Sequence, residues 1–200
     1  MLINIGVSIF GILIFLFLFW KRLREDYAAN IIFESAAYIL IGIGLGFVVS
    51  LKFFPAWFFW ATLSGALLGL LSVILRFKIK FYETLEAFVI GSLPWLGLIF
   101  LEDSVVKSSL SSFLAFLGIL IMLFIAYYFD THYKGFSLYK SGRIGFTGLA
   151  MVALIFLVRS LIAIAKVPML SFVGIREAPI SGVLMLLSLV LLFNLGKVKK

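Results

Sequence analysis

The sequence predicts an all-α integral membrane protein of about seven transmembrane helices, with the N-terminus outside and the C-terminus in the cytoplasm. Three observations predict it: a composition too apolar for a water-facing surface, seven successive apolar runs, and basic residues gathered on alternate loops. Of 200 residues, 64% are hydrophobic and 13% charged, and mean hydropathy is +1.23. A soluble domain carries roughly 25% charged residues, and a membrane-spanning helix needs about 20 apolar ones. The chain therefore reads as one membrane domain over residues 1–200, without a soluble module.

The runs cover 2–20, 28–50, 57–75, 82–101, 110–129, 144–165 and 179–195. Leu, Ile, Phe and Val fill them without the period-2 alternation of a barrel strand. Backbone in lipid has to satisfy its own hydrogen bonds, so each run is predicted helical. The first has no basic residues ahead of it and is followed by Lys21-Arg22-Leu23-Arg24, which predicts a retained N-out anchor rather than a cleaved signal. The second holds Gly42, Gly44 and Gly46, and the third holds Gly65 and Gly69 in GxxxG spacing. These small residues predict close helix contact, or else a groove that touches lipid. Trp57 and Trp60 open the third helix at the outer interface, and Pro94 predicts a kink in the fourth. The longest polar stretch, Asp130 to Arg143, is predicted to be a cytoplasmic loop.

Orientation follows from lysine and arginine in alternate loops. Twelve of the seventeen fall at 21–24, 76–80, 134–143 and 197–200. Four fall on the other side, Lys52, Lys107, Lys166 and Arg176, while Arg159 lies inside the sixth run. The richer set is placed in the cytoplasm, and seven spans are what the alternation requires. This clustering accounts for the net charge of +8 and argues against nucleic acid as a partner. Cysteine is absent, so disulfides and a thiol nucleophile are excluded. A single histidine, His132, does not build a metal site, and no cofactor is implied.

Polar residues at membrane depth are costly and therefore informative. Glu34, about two turns into the second helix, is expected to face the bundle, to pair or to be protonated. Arg159 has two readings: its guanidinium snorkels to the outer headgroups, or it forms a fork for phosphate or carboxylate. Glu102 and Asp103 close the fourth helix on that side, as partners of Arg159 or as a solvated helix end. Glu83 and Glu86 open the fourth helix near Arg76, Lys78 and Lys80, where acidic groups suit the helix dipole. Residue types alone show no Ser/His/Asp arrangement, metal cluster or phosphate loop.

Trp60-Ala61-Thr62-Leu63-Ser64-Gly65 lies at the start of the third helix, Arg76-Phe77-Lys78-Ile79-Lys80-Phe81 follows as a basic loop, and Glu86 comes early in the fourth helix. Gly145 to Arg159 runs from a glycine through an apolar helix to an arginine near its outer end. In this order the segments resemble the bacterial prolipoprotein diacylglyceryl transferase family. Its members move diacylglycerol from phosphatidylglycerol to a lipoprotein cysteine at the outer face of the plasma membrane, on seven helices of the same orientation. The departures fall on the family's functional positions. Trp60 stands where the family has histidine, Phe100 within Ile99 to Ser104 where it has arginine, and Ala163 where a glutamate follows the last arginine by one turn. Ser111 to Ala115 lacks the family's Tyr-Glu pair.

The resemblance implies a multi-pass bacterial plasma-membrane protein that holds a phosphatidylglycerol-like phospholipid in a groove near the outer leaflet. Arg159, Trp60 and Gly65 are the headgroup candidates, and a lipoprotein precursor is the second substrate. Transfer needs a base, and Glu102 and Asp103, which would need raised pKa values for that role, are the acidic candidates at the outer face. Glu34 and Glu86 are the intramembrane polar residues. The alternatives are a non-catalytic membrane scaffold and a small transporter with Glu34, Glu86 and Arg159 lining a path.

Overall fold

The computed structural model describes residues 2–132, 145–167, 172 and 174–197. Among the described residues seven α-helices follow one another: α1 (Leu2–Leu23), α2 (Ala29–Phe53), α3 (Phe58–Phe77), α4 (Phe81–Lys107), α5 (Leu110–His132), α6 (Phe146–Ile164) and α7 (Glu177–Lys197). Short 3-10 turns, Pro55–Trp57 and Gly174–Arg176, lead into α3 and α7. All seven helices are long and apolar enough to cross a membrane, and no strand occurs among the described residues. The chain is a multi-pass helical membrane protein.

Side-chain bonds join the end of α1 to the starts of α4 and α6 and the end of α5. At the opposite end they join the starts of α3 and α7 to the close of α6. Successive helices therefore alternate in direction, and the two ends are called here the Arg22 end and the Arg159 end.

Six helices run past the apolar segments that announced them, and three of the overruns carry acidic residues. α4 continues through Glu102 and Asp103 to Lys107 and stops where Ser108 turns left-handed (φ 50°). Those two acids are thus inside the helix rather than closing it. α5 continues to His132, so Asp130 is helical rather than part of a loop; residues 133–144 of that stretch lie outside the described residues. α7 begins at Glu177, whose negative charge suits the positive end of the helix dipole. Pro94 lies within α4, which continues through it unbroken.

α4 is the central helix, packed along α1 and α5 and against α6, with half of its span buried. Phe15 and Phe19 of α1 stack with ring centroids 5.5 Å apart, and Phe15 meets Phe88 of α4 edge-on. Leu93, Leu149 and Met151 complete this part of the core. α6 pairs with α7, and α2 pairs with α3.

The α2–α3 contact is backbone against backbone. A methyl group at Gly42 would strike the Gly65 carbonyl, and one at Gly65 would strike the Gly42 carbonyl. Gly46 lies against Ala61, and Gly69 against Tyr38 and Ile39. Close packing is thus what the GxxxG spacing brings about. Gly44, two residues from Gly42 and so on the far side of the helix, faces open space.

Glu34 departs from expectation. It is exposed and has no hydrogen-bond or ion-pair partner among the described residues. The buried face of α2 is set by Ile32, Ser35, Ala36 and Ile39, and at about 100° per residue Glu34 falls beside it. Its position near the Arg22 end lets the carboxylate reach toward the headgroups along its own stem.

Candidate functional site

At the Arg159 end, three helices bring a cation, an anion and an aromatic wall together. Arg159 sits on the buried stripe of α6 with Phe156 and Ala163, and is 5% exposed. Its Nε and Nη2 donate to Glu177 Oε1 at 2.8 and 2.6 Å. Glu177, the first residue of α7, is fully buried. Its Oε2 accepts from Trp60 Nε1 at 3.0 Å, and Ser181 Oγ lies 3.3 Å from Oε1. Nearby, Ser160 of α6 donates to the Ala178 carbonyl of α7 at 3.1 Å. Every polar partner of the carboxylate thus comes from α3, α6 or α7.

Aromatic rings surround the guanidinium. Its carbon lies 3.6 Å from the Phe59 ring centroid and 4.5 Å from that of Phe172. Trp60 stacks on Phe156 with centroids 6.0 Å apart and planes 15° from parallel. Cation–π contact of this kind strengthens as water is removed. Arg159 is buried, and its guanidinium is turned onto the Glu177 carboxylate.

The fork holds Glu177, which the sequence reading passed over. Among the other candidates, Trp60 joins the cluster, donating as an indole can. Gly65 faces Gly42 of α2 and serves helix contact. Asp103 is committed elsewhere: it accepts from Ser112 Oγ at 2.5 Å and pairs with Lys107 at 2.6 Å. Glu102 is half-buried and pairs with no described residue. The structure therefore brings Arg159 and Trp60 together and leaves Glu102, Asp103 and Gly65 apart from them. A sequence signal for Glu177 did exist, because an acid followed two residues later by Pro179 marks a helix start.

The Arg22 end holds a second constellation. Arg22 Nη1 and Nη2 donate to the two oxygens of Asp130 at 2.5 and 2.7 Å, and Nη2 also donates to Glu86. Glu86 Oε2 accepts the Gly145 N–H at 2.5 Å, and Thr147 donates to Asp130 at 2.8 Å. Gly145 is left-handed (φ 87°), a conformation glycine adopts without strain. A side chain at Gly148 would strike Glu86, so α6 approaches α4 closely here. Glu86 thus pairs with α1 and not with the loop residues Arg76, Lys78 and Lys80, because α1 is the helix packed along α4.

Glu83, one turn earlier, does keep Lys80, at 2.9 Å, and accepts from Tyr27 at 2.5 Å. The Tyr27 phenol is pushed up from its ordinary pKa, first by burial and then by the Glu83 carboxylate. Lys80 is raised by its hydrogen bond to the same carboxylate. Tyr27 in turn accepts the Lys80 N–H at 3.2 Å, so the α1–α2 turn is tied to the α3–α4 turn.

Chemically, the Arg159 cluster presents a guanidinium edge that holds an anion, here the Glu177 carboxylate. No group of three or more His, Cys, Asp or Glu side chains is placed to hold a metal ion among the described residues. Fold and site together define a polytopic helical membrane protein with an aromatic-walled Arg–Glu pair at one end and a four-helix ion-pair cluster at the other. Comparison of the chain with protein-family models, curated proteins and solved structures finds no match.

Proposed function

We propose that this chain is a phospholipid-handling protein of the diacylglyceryl transferase kind, which takes a phosphatidylglycerol-like headgroup at Arg159. One observation carries the reading: the buried Arg159–Glu177 pair, with Trp60 bonded to the same carboxylate. The resemblance in sequence implies a carboxylate one turn after the arginine, where this chain has Ala163. Glu177, arriving from α7, brings a carboxylate to the guanidinium by another route. The Nε–Nη2 edge is also the one that grips phosphate. Glu177 is the base that transfer needs, since Glu102 and Asp103 make no bond to the cluster and Asp103 is held by Ser112 and Lys107.

The orientation belongs to the same proposal. Twelve basic residues on alternate loops against four favour the N-terminus outside and the C-terminus in the cytoplasm of a bacterial plasma membrane. Arg159 then lies toward the outer leaflet, where a lipoprotein precursor presents its cysteine.

A second reading rests on how completely Glu177 meets Arg159. A guanidinium neutralised by a buried carboxylate serves helix packing, and the chain is then a non-catalytic scaffold. Complementation of cells depleted of the transferase, with mass spectrometry of a model lipoprotein, separates the two. Transfer predicts a diacylglyceryl adduct on the cysteine that disappears in Arg159→Ala and in Glu177→Gln. Lack of adduct from the unmodified chain removes the transferase reading.

A further inference from the structure

We infer that Glu177 is a displaceable plug in the anion seat of Arg159, so that a phosphate group enters by exchanging with the carboxylate and releasing the first turn of α7. The inference rests on the reading of Arg159 as a headgroup site.

The geometry of the pair is that of an occupied seat. Nε and Nη2 converge on a single oxygen, Glu177 Oε1, and arginine donors that hold a carboxylate also hold phosphate. Carboxylate and phosphate cannot share that position. The Phe59 and Phe172 ring centroids lie 3.6 and 4.5 Å from the guanidinium carbon, contacts that do not depend on Glu177. Removal of the carboxylate therefore leaves the arginine in place and its donors aimed at the vacated position.

Glu177 has somewhere to go. It is the first residue of α7, preceded by the turn Gly174–Arg176, with Gly174 left-handed at φ 67°. Its charge suits the helix N-terminus whether or not Arg159 is beside it. Trp60 and Ser181 remain as donors to a carboxylate that has let go of the arginine. Exchange thus strands neither charge, unlike the rupture of an ordinary buried pair.

The plug also joins parts of the fold. α3 packs tightly on α2, and its backbone hardly approaches α6 or α7. Across that separation the carboxylate is held by Trp60 on one side and Arg159 on the other. Entry of a phosphate at Arg159 removes the α6 side of the link and leaves Trp60 of α3 joined to Glu177 of α7.

The test uses the full chain in nanodiscs of phosphatidylcholine, titrated with phosphatidylglycerol or with inorganic phosphate and read by native mass spectrometry. Glu177→Gln is expected to bind phosphatidylglycerol about tenfold more tightly than the unmodified chain, the size of a typical coupling between competing occupants. Trp60→Phe, which loosens the plug without removing it, shifts affinity the same way by less. Arg159→Gln abolishes binding in every background. Tighter binding of inorganic phosphate alone by Glu177→Gln upholds the plug and assigns the seat to a free phosphate.

If Arg159→Gln abolishes binding while Glu177→Gln leaves it unchanged or weaker, the plug is overturned and the headgroup site survives. Binding that is indifferent to Arg159→Gln overturns both. Should Glu177→Gln fail to fold, Trp60→Phe decides, and no gain in its affinity overturns the plug.

Discussion

Arg22 and Asp130, 108 residues apart in the chain, meet as a two-pronged ion pair with nitrogen–oxygen distances of 2.5 and 2.7 Å. The same guanidinium reaches Glu86, and through Glu86 and Asp130 the network takes in Gly145 and Thr147. One side chain thereby ties α1, α4, α5 and α6 together at one end of the bundle.

Arg22→Ala leaves two carboxylates, Glu86 and Asp130, under cover without their shared cation. Breaking a buried pair from one side costs about 3–5 kcal/mol. Arg22→Lys keeps the charge but loses the fork, so its cost is smaller without vanishing. Reversible unfolding in mixed micelles gives the numbers. A loss below about 0.5 kcal/mol for Arg22→Ala, the range of an ordinary surface change, would falsify the clamp.

The glycine seam makes a paired prediction. Gly42→Ala and Gly65→Ala each drive a methyl group into the facing carbonyl, and overpacking of this kind costs about 1–3 kcal/mol. Gly44→Ala, on the open side of the same helix, is neutral or stabilising by up to about 1 kcal/mol, the helix propensity of alanine over glycine. Thermal unfolding of the three variants distinguishes them. Equal effects at Gly42 and Gly44 would show that the seam has been misassigned.

The Tyr27–Glu83–Lys80 contact predicts alkaline sensitivity. Tyr27 and Lys80 both have raised pKa values, so each contributes stability that is fully present below its ordinary value of about 10. That contribution is lost as pH climbs through the raised values. Unfolding free energy should fall more steeply above pH of about 10 in the unmodified chain than in Tyr27→Phe. Parallel curves for the two would rule the contact out as the source.

Glu34 has no partner to lose among the described residues. Glu34→Leu is expected to keep stability within about 0.5 kcal/mol or to raise it, since an exposed position on α2 meets lipid or headgroups. A marked loss of stability, read by the same unfolding assay, would mean that the carboxylate is engaged after all.

The seven helices were legible because their apolar runs are long and separated by charge, and the glycine seam because Gly65 and Gly69 carry their spacing on their face. What stayed hidden lies at helix ends. Hydropathy stops at the first charged residue, whereas the helix does not: Asp130 continues α5 and Glu177 begins α7, and each supplies a carboxylate to an arginine, partly buried Arg22 and buried Arg159. Partner choice was hidden for a different reason. Glu86 follows a basic loop in sequence, yet its arginine is Arg22, because packing of α1 on α4 decides which cation is near. Arg159 likewise takes Glu177 from the next helix rather than Glu102 or Asp103, whose own helix turns Asp103 toward Ser112 and Lys107.

The partnership of α1 with α4 has a consequence for how the chain is made. α2 finds α3, and α6 finds α7, as soon as the second member of each pair leaves the ribosome. α1 has to wait through the synthesis of α2 and α3 for its neighbour. Arg22 waits longer, for Glu86, then Asp130, then the arrival of α6 with Thr147. Until then it stands with Lys21 and Arg24 at the headgroup level, in contact with water. The residue that ends up fastening four helices is therefore among the earliest made, and its network closes only when the sixth helix arrives.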